Sequence, residues 1–150
     1  MKSFLEATQT KLNTITALKY IDEDWGQMDS YSPNPPTMFP CALIDITDLT
    51  FSNIGKDNTD NPVNRQMAEG TITFILGNLK LSNTSQRAPQ SQKDNAWNIW
   101  TIIDDLHKAV HGWKPTEDSN ALIRTRLKRI RRDDGIQEYQ ITYSIGLSNI

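Results

Sequence analysis

His107 and His111 stand four residues apart with Asp104 one turn ahead. On a helix that spacing turns all three toward one side, as zinc ligands on a helix are arranged. The shell needs a further donor, and the lone Cys41 would have to reach it from another strand. The glutamate of the zinc-protease helix motif is missing, and the chain has only these 2 histidines. The plainer reading of the pair is a surface or a subunit contact. Nucleophilic catalysis needs a Ser or Cys beside a base, and neither histidine has one nearby in sequence; only a constellation assembled in space stays open. The acidic groups Asp22-Glu23-Asp24, Asp104-Asp105 and Asp133-Asp134 fall at element ends or on an exposed helix face, where turn and capping roles account for them. The 7 glycines are scattered singly, which argues against a phosphate-binding loop. The residues therefore assemble no catalytic, metal or cofactor site, and the chain is not expected to be an enzyme.

One charged feature rises above background: Arg124-Thr125-Arg126-Leu127-Lys128-Arg129-Ile130-Arg131-Arg132. Strand alternation places Arg124, Arg126 and Lys128 on one face and Arg129 and Arg131 on the other. Asp133, Asp134, Glu138, Glu117 and Asp118 lie close in sequence, so a solvated, salt-bridged outer face is the first reading. A subunit contact, or an inner ring surface facing DNA, is the alternative. No aromatic residue interleaves with the run to stack on bases, and Trp25, Trp97, Trp100 and Trp113 read as core and interface packing.

The elements that carry these residues follow from periodicity. Ser3-Phe4-Leu5-Glu6 has the form of a capping box, and Phe4, Leu5, Thr8, Leu12 and Ile15 continue at helical spacing, which predicts a first helix over Ser3 to Thr16. A short strand is expected over Leu18 to Asp22. Ser32-Pro33-Asn34-Pro35-Pro36-Thr37 is an extended connector, since its prolines exclude helix and sheet interior. A strand over Phe39 to Phe51 then puts Ala42, Ile44 and Ile46 on one face and Cys41, Leu43 and Asp45 on the other, buried on both sides near its start. Residues Ser52 to Arg65 read as a long polar loop. A strand over Ala68 to Leu81 and a second polar run, Ser82 to Lys93, precede a second helix, Asp94 to His111, with Trp97, Trp100, Ile103, Leu106, Ala109 and Val110 along its stripe and Gly112 as its stop. The last third is a hairpin: Ala121 to Arg132, a turn at Asp133-Asp134-Gly135, then Gln137 to Leu147, whose Tyr139, Ile141, Tyr143, Ile145 and Leu147 share a core face. The fold class is α+β, a mostly antiparallel sheet of about four to five strands with two helices on one side, in the order α-β-β-β-α-β-β, and residues 1–150 form one domain.

The totals agree with a protein that works by packing. A chain of 150 residues buries a single core, and 37% hydrophobic with 23% charged residues makes that core thin. A net charge of -2 gives no global attraction to nucleic acid or an anionic membrane. No apolar stretch is long enough for a membrane span or leader, and the single cysteine fits a reducing compartment, which leaves Asn83-Thr84-Ser85 an accident of a polar loop.

Taken in order, several segments resemble the tail terminator or tail-completion proteins of tailed bacteriophages and their prophage relatives. They are Trp25 ahead of the proline-rich connector, Phe39-Pro40-Cys41-Ala42-Leu43-Ile44-Asp45, Gly70 to Leu76, Leu106 to Trp113, and Ile123 to Gly135 followed by Glu138 to Tyr143. The resemblance spans nearly the whole chain. It implies a virion protein assembled in the host bacterial cytoplasm, a ring of typically six copies that caps the tail tube and joins it to the head. The implied partners are copies of the chain, the tail tube protein and neck or connector proteins, with a passing contact with DNA in the lumen, and neither catalysis nor cofactor. The same scaffold serves connectors and other tube or baseplate subunits, and a DNA-binding module using Arg124 to Arg132 is a further alternative.

Overall fold

The computed structural model of the chain describes residues 1–30, 36–80 and 82–149. Within them run α1 (Lys2–Leu12), β1 (Tyr20–Glu23), a 3-10 turn (Gln27–Asp29), β2 (Cys41–Asp45), β3 (Leu49–Lys56), β4 (Asn64–Leu79), α2 (Gln90–Val110), β5 (Ile123–Ile130) and β6 (Ile136–Ser148). The α+β class and the placement of both helices on one face agree with the sequence pattern, while the sheet has six strands. Most of the proline-rich connector, residues 32–35, lies outside the described residues, as does Leu81.

The sheet order is β1-β2-β4-β6-β5, with β3 also paired to β4; β1 runs parallel to β2 and every other pair is antiparallel. The extra strand corrects two expectations. The strand read as Phe39 to Phe51 breaks after Asp45, and pairing resumes at Leu49 after a slip: Asp45 opposes Thr73 and Leu49 opposes Gly70. The segment Ser52 to Arg65, read as a loop for want of apolar residues, instead continues the ladder to Lys56 opposite Asn64. Backbone pairing with a neighbour needs no apolar side chains, so polarity alone could not report it. Only 57–63 form the tip, closed by the Asp57 carboxylate, which accepts from the Thr59 hydroxyl at 2.8 Å and the Val63 N–H at 3.2 Å.

Both helices differ from their expected bounds. The N-cap position of α1 is Met1, without a side-chain cap bond, and Glu6 pairs with Lys2 at 3.5 Å, so the capping box does not form. The helix stops at Leu12, where the Thr14 hydroxyl donates to the Lys11 carbonyl at 2.7 Å. The second helix starts a turn early, at Gln90 behind Pro89, because its first turn is polar and exposed and carries no periodic signal. Its buried line is Ala96, Ile99, Ile102, Ile103, Leu106 and Val110. Trp97 and Trp100 lie off that line, 47% and 45% exposed.

The helix-side core joins Phe4 and Leu12 from α1, the α2 line, Ala42 and Ile44 from β2, Ile72, Phe74 and Leu76 from β4, and the alternating Tyr139, Ile141, Tyr143, Ile145 and Leu147 of β6. A smaller cluster, Met28, Cys41, Leu43 and Ile75, fills the opposite face where the 3-10 turn crosses. This explains why β2 is buried on both sides. Gly135, at φ 77, makes the β5–β6 turn as its position after two aspartates predicts. Among the described residues no helix is long and apolar enough to cross a membrane.

Candidate subunit interface

Strand β5 pairs with β6 alone, so one side of its backbone is open. Its alternation is not the one read from sequence. Arg124 opposes Tyr143 and Arg126 opposes Thr142, so Thr125 is bulged out and the faces reset there. Arg124, Leu127 and Arg129 consequently share the face of Tyr143, Ile141 and Tyr139 beneath the helices, while Arg126 and Lys128 share the opposite face with Thr142 and Gln140. Arg131 lies just past the strand.

The salt-bridged reading of this strand fails for five of its six cations. Among the described residues none of Arg124, Arg126, Lys128, Arg129 and Arg131 is within ion-pair distance of a carboxylate. The sixth, Arg132, gathers the nearby acids. Its side chain is 9% exposed and pairs with Asp134 at 2.6 Å, Asp29 at 2.8 Å and Glu138 at 3.4 Å, while Nη2 donates to the Met28 carbonyl at 2.9 Å. This clasp ties the 3-10 turn to the β5–β6 hairpin. Burial pushes the Glu138 carboxyl up, with Arg132 opposing, and the Arg132 guanidinium holds Asp134 below the usual carboxylate range.

Beside β5, Trp100 packs edge-on against Tyr139, ring centroids 5.0 Å apart. Trp100, Ile103, Asp104, Arg124 and Leu127 line a shallow groove between α2 and the open strand. The histidines sit at its end with ring centroids 4.5 Å apart. His111 Nδ1 accepts the Arg124 N–H at 3.2 Å and so holds the start of β5. His107 Nδ1 is buried without a partner, and burial followed by the charges of Arg124 and His111 lowers its pKa despite Asp104. Cys41 does not approach them. It lies on the other face of the sheet, its thiol 3.7 Å from Met28 Sδ. Among the described residues no three His, Cys, Asp or Glu side chains are grouped to hold a metal ion.

The opposite end of the sheet is acidic. Among the described residues strand β1 pairs with β2 alone, and it carries Asp22 and Glu23, followed by Asp24. Asp22 accepts from the Tyr20 hydroxyl at 2.7 Å and the Trp25 indole at 3.3 Å. Burial, then Asp24 and Glu23, raise the pKa of Asp45 on the neighbouring strand. Among the described residues no cation pairs with these four carboxylates.

A third surface was not legible in sequence, because its residues were read as loop. The β3–β4 hairpin has no buried residue from Thr50 to Met67. On it Phe51, Ile54 and Val63 are 50%, 47% and 61% exposed. Phe51 sits directly opposite fully buried Ala68, where core gives way to arm.

No family model matches the sequence, and no curated protein matches it. A chain in the solved structure described as "Virion of native gene transfer agent (GTA) particle" is a structural neighbour, with a TM-score of 0.40 and 11% identity, covering 91% of this chain and 84% of that one. An overlap of that size carries no argument for function, which rests on the surfaces of the chain itself.

Proposed function

We propose that this chain is a structural virion protein that assembles with copies of itself into a ring, caps a phage tail tube and joins it to the neck. The observation that carries the reading is the β3–β4 arm. It spends a long run of backbone on a hairpin that adds nothing to the core, and it exposes Phe51, Ile54 and Val63. Exposed apolar side chains spaced along a hairpin that has no buried residue from Thr50 to Met67 fit a surface that another protein covers. Among the described residues three strands, β1, β3 and β5, pair on one side only, and this points the same way, since an unpaired edge is a template for a further strand. The ordered resemblance to tail terminator proteins supports this station in the particle. In this reading the partners are the same chain, the tail tube protein and the neck, and the chain acts without catalysis or cofactor.

Electron microscopy of the purified protein, alone and mixed with tail tubes, tests the proposal. Rings capping one tube end are expected, and F51S/I54S/V63S, a change confined to exposed positions, abolishes capping without altering the melting temperature. Extended tubes of this chain alone would assign it to the tube or baseplate instead. A second reading, contact with DNA through β5, draws on its five unpaired cations. It requires salt-sensitive DNA binding that weakens in R124A/R126A.

A further inference from the structure

Among the described residues three strands, β1, β3 and β5, pair on one side only; β1 and β5 lie at opposite ends of the β1-β2-β4-β6-β5 path, and they carry opposite charge. The β5 edge presents Arg124, Arg126, Lys128, Arg129 and Arg131; the β1 edge presents Asp22, Glu23 and Asp24, with Asp45 behind them and a single cation, Lys19, ahead. Among the described residues neither set has an ion-pair partner within the chain. A subunit with a run of unpaired cations at one sheet edge and a run of unpaired carboxylates at another is suited to meet itself.

We infer that the β5 edge of one copy docks on the β1 edge of the next through their opposite charges. This rests on the reading of the chain as a self-assembling subunit and names the contact through which it assembles. Charge discriminates among the ways two copies can meet. Pairing β5 with β5 sets cations against cations, and pairing β1 with β1 sets carboxylates against carboxylates, so both two-fold arrangements are disfavoured. The β5-to-β1 contact is complementary and heterologous, so it propagates head to tail and closes when its rotation divides the circle. Strand direction is compatible. Within a chain β1 and β2 run one way, β4 the other, β6 back and β5 opposite again, so β5 is antiparallel to β1. Side-by-side repetition sets β1 of the next copy antiparallel to β5, the direction of most pairs in this sheet. Three backbone groups on the β1 edge are already engaged: the Ile21 carbonyl accepts from the exposed Gln9 amide at 3.0 Å, the Glu23 carbonyl accepts from the buried Gln27 amide at 2.9 Å, and the Glu23 N–H donates to Asp22 Oδ1 at 2.8 Å, so the contact is carried by side-chain charge.

The groove between β5 and α2 gives the contact its apolar part. Leu127 and Trp100 are 38% and 45% exposed along it, and they flank the strand that the second copy covers.

A charge swap tests the inference. The two variants are R126E/K128E on one edge and E23K/D24K on the other. Circular dichroism and melting curves identical to the native protein establish that each is folded. Analytical ultracentrifugation, alone and with tail tubes, is expected to show native oligomers that weaken at least tenfold in dissociation constant between about 50 and 500 mM salt, as exposed charge contacts do. Each variant alone is expected to lose roughly a hundredfold in assembly, and the equimolar mixture to recover it as alternating oligomers. Native oligomers that ignore salt and both variants, or a mixture that stays dissociated, overturn the edge contact while leaving ring assembly standing. A native chain that remains monomeric at every concentration and salt, and does not gather on tube ends, overturns both.

Discussion

Replacing Arg132 by Ala removes the one cation around which the chain has arranged its buried charge. Glu138 is left with a 9% exposed side chain and no counter-charge, Asp134 loses its closest partner, and the Met28 carbonyl loses a donor. Breaking a buried pair by deleting one partner costs about 3–5 kcal/mol, and the contact with Asp29, whose side chain is 70% exposed, adds at most about 1 kcal/mol. About 3–4 kcal/mol is therefore expected at pH 7. With a slope of about 1–3 kcal/mol per molar urea, the midpoint followed by tryptophan fluorescence drops by about 1–4 M.

The pH dependence of that loss has a defined sign. Burial holds the folded-state pKa of Glu138 above its ordinary 4.5, and deleting Arg132 raises it further, so the folded variant binds this proton more tightly than the unfolded chain. Its penalty is full above the raised value and is relieved as pH falls toward 4.5. Asp134 works in the same direction. Arg132 lowers its pKa below the ordinary 3.8, a native stabilisation present above that value and lost as pH falls through the folded one. The gap between native protein and variant therefore narrows from pH 7 to pH 4, and adding E138Q to R132A recovers part of it at pH 7. A loss under about 0.5 kcal/mol, the scale of an ordinary surface change, would refute the clasp, as would a gap independent of pH.

Gly77 faces Met28 Sδ, Cys41 Sγ and Phe39 Cε1 at 2.5, 3.0 and 3.2 Å from where a Cβ would stand, so G77A overpacks the smaller core. A cost of about 1–2 kcal/mol and a melting temperature lower by about 2–8 °C are expected by calorimetry, and an unchanged melting temperature contradicts the packing. Burial pushes the Cys41 thiol up to about 11, so a thiol reagent at pH 8 should label the native protein slowly and the urea-unfolded chain at once. Equal rates would place Cys41 outside the core. Burial, Arg124 and His111 hold His107 below the ordinary 6.5, so its imidazole resonance, assigned by its absence in H107Q, should titrate below that value. Stability contributed by its neutral form is full above pH 6.5 and falls as pH drops through the folded value; a midpoint above 6.5 would overturn the burial argument.

The class, the helix-side core and the last hairpin were legible in the sequence because each rests on periodicity. Tyr139, Ile141, Tyr143, Ile145 and Leu147 alternate, and all five are buried. A turn of two aspartates and a glycine lies where φ must be positive. The arm was not legible, because a ladder made by backbone groups asks for no apolar side chain, and Ser52 to Lys56 therefore reads as loop.

Where the cations lie was legible; which way they face was not. A single bulged residue, Thr125, moves Arg126 and Lys128 to the face opposite Arg124. Sequence proximity suggested that Asp134 and Glu138 would neutralise the strand, yet both turn to Arg132, because only the folded hairpin and the Met28 turn bring those groups within reach. By itself the sequence determined charge, core and the number of helices, which are properties of residues and their spacing. Only the tertiary structure decided that the acidic run and the basic run end up as the two outer strands of one sheet, because strand order is set by pairings between residues far apart in the chain.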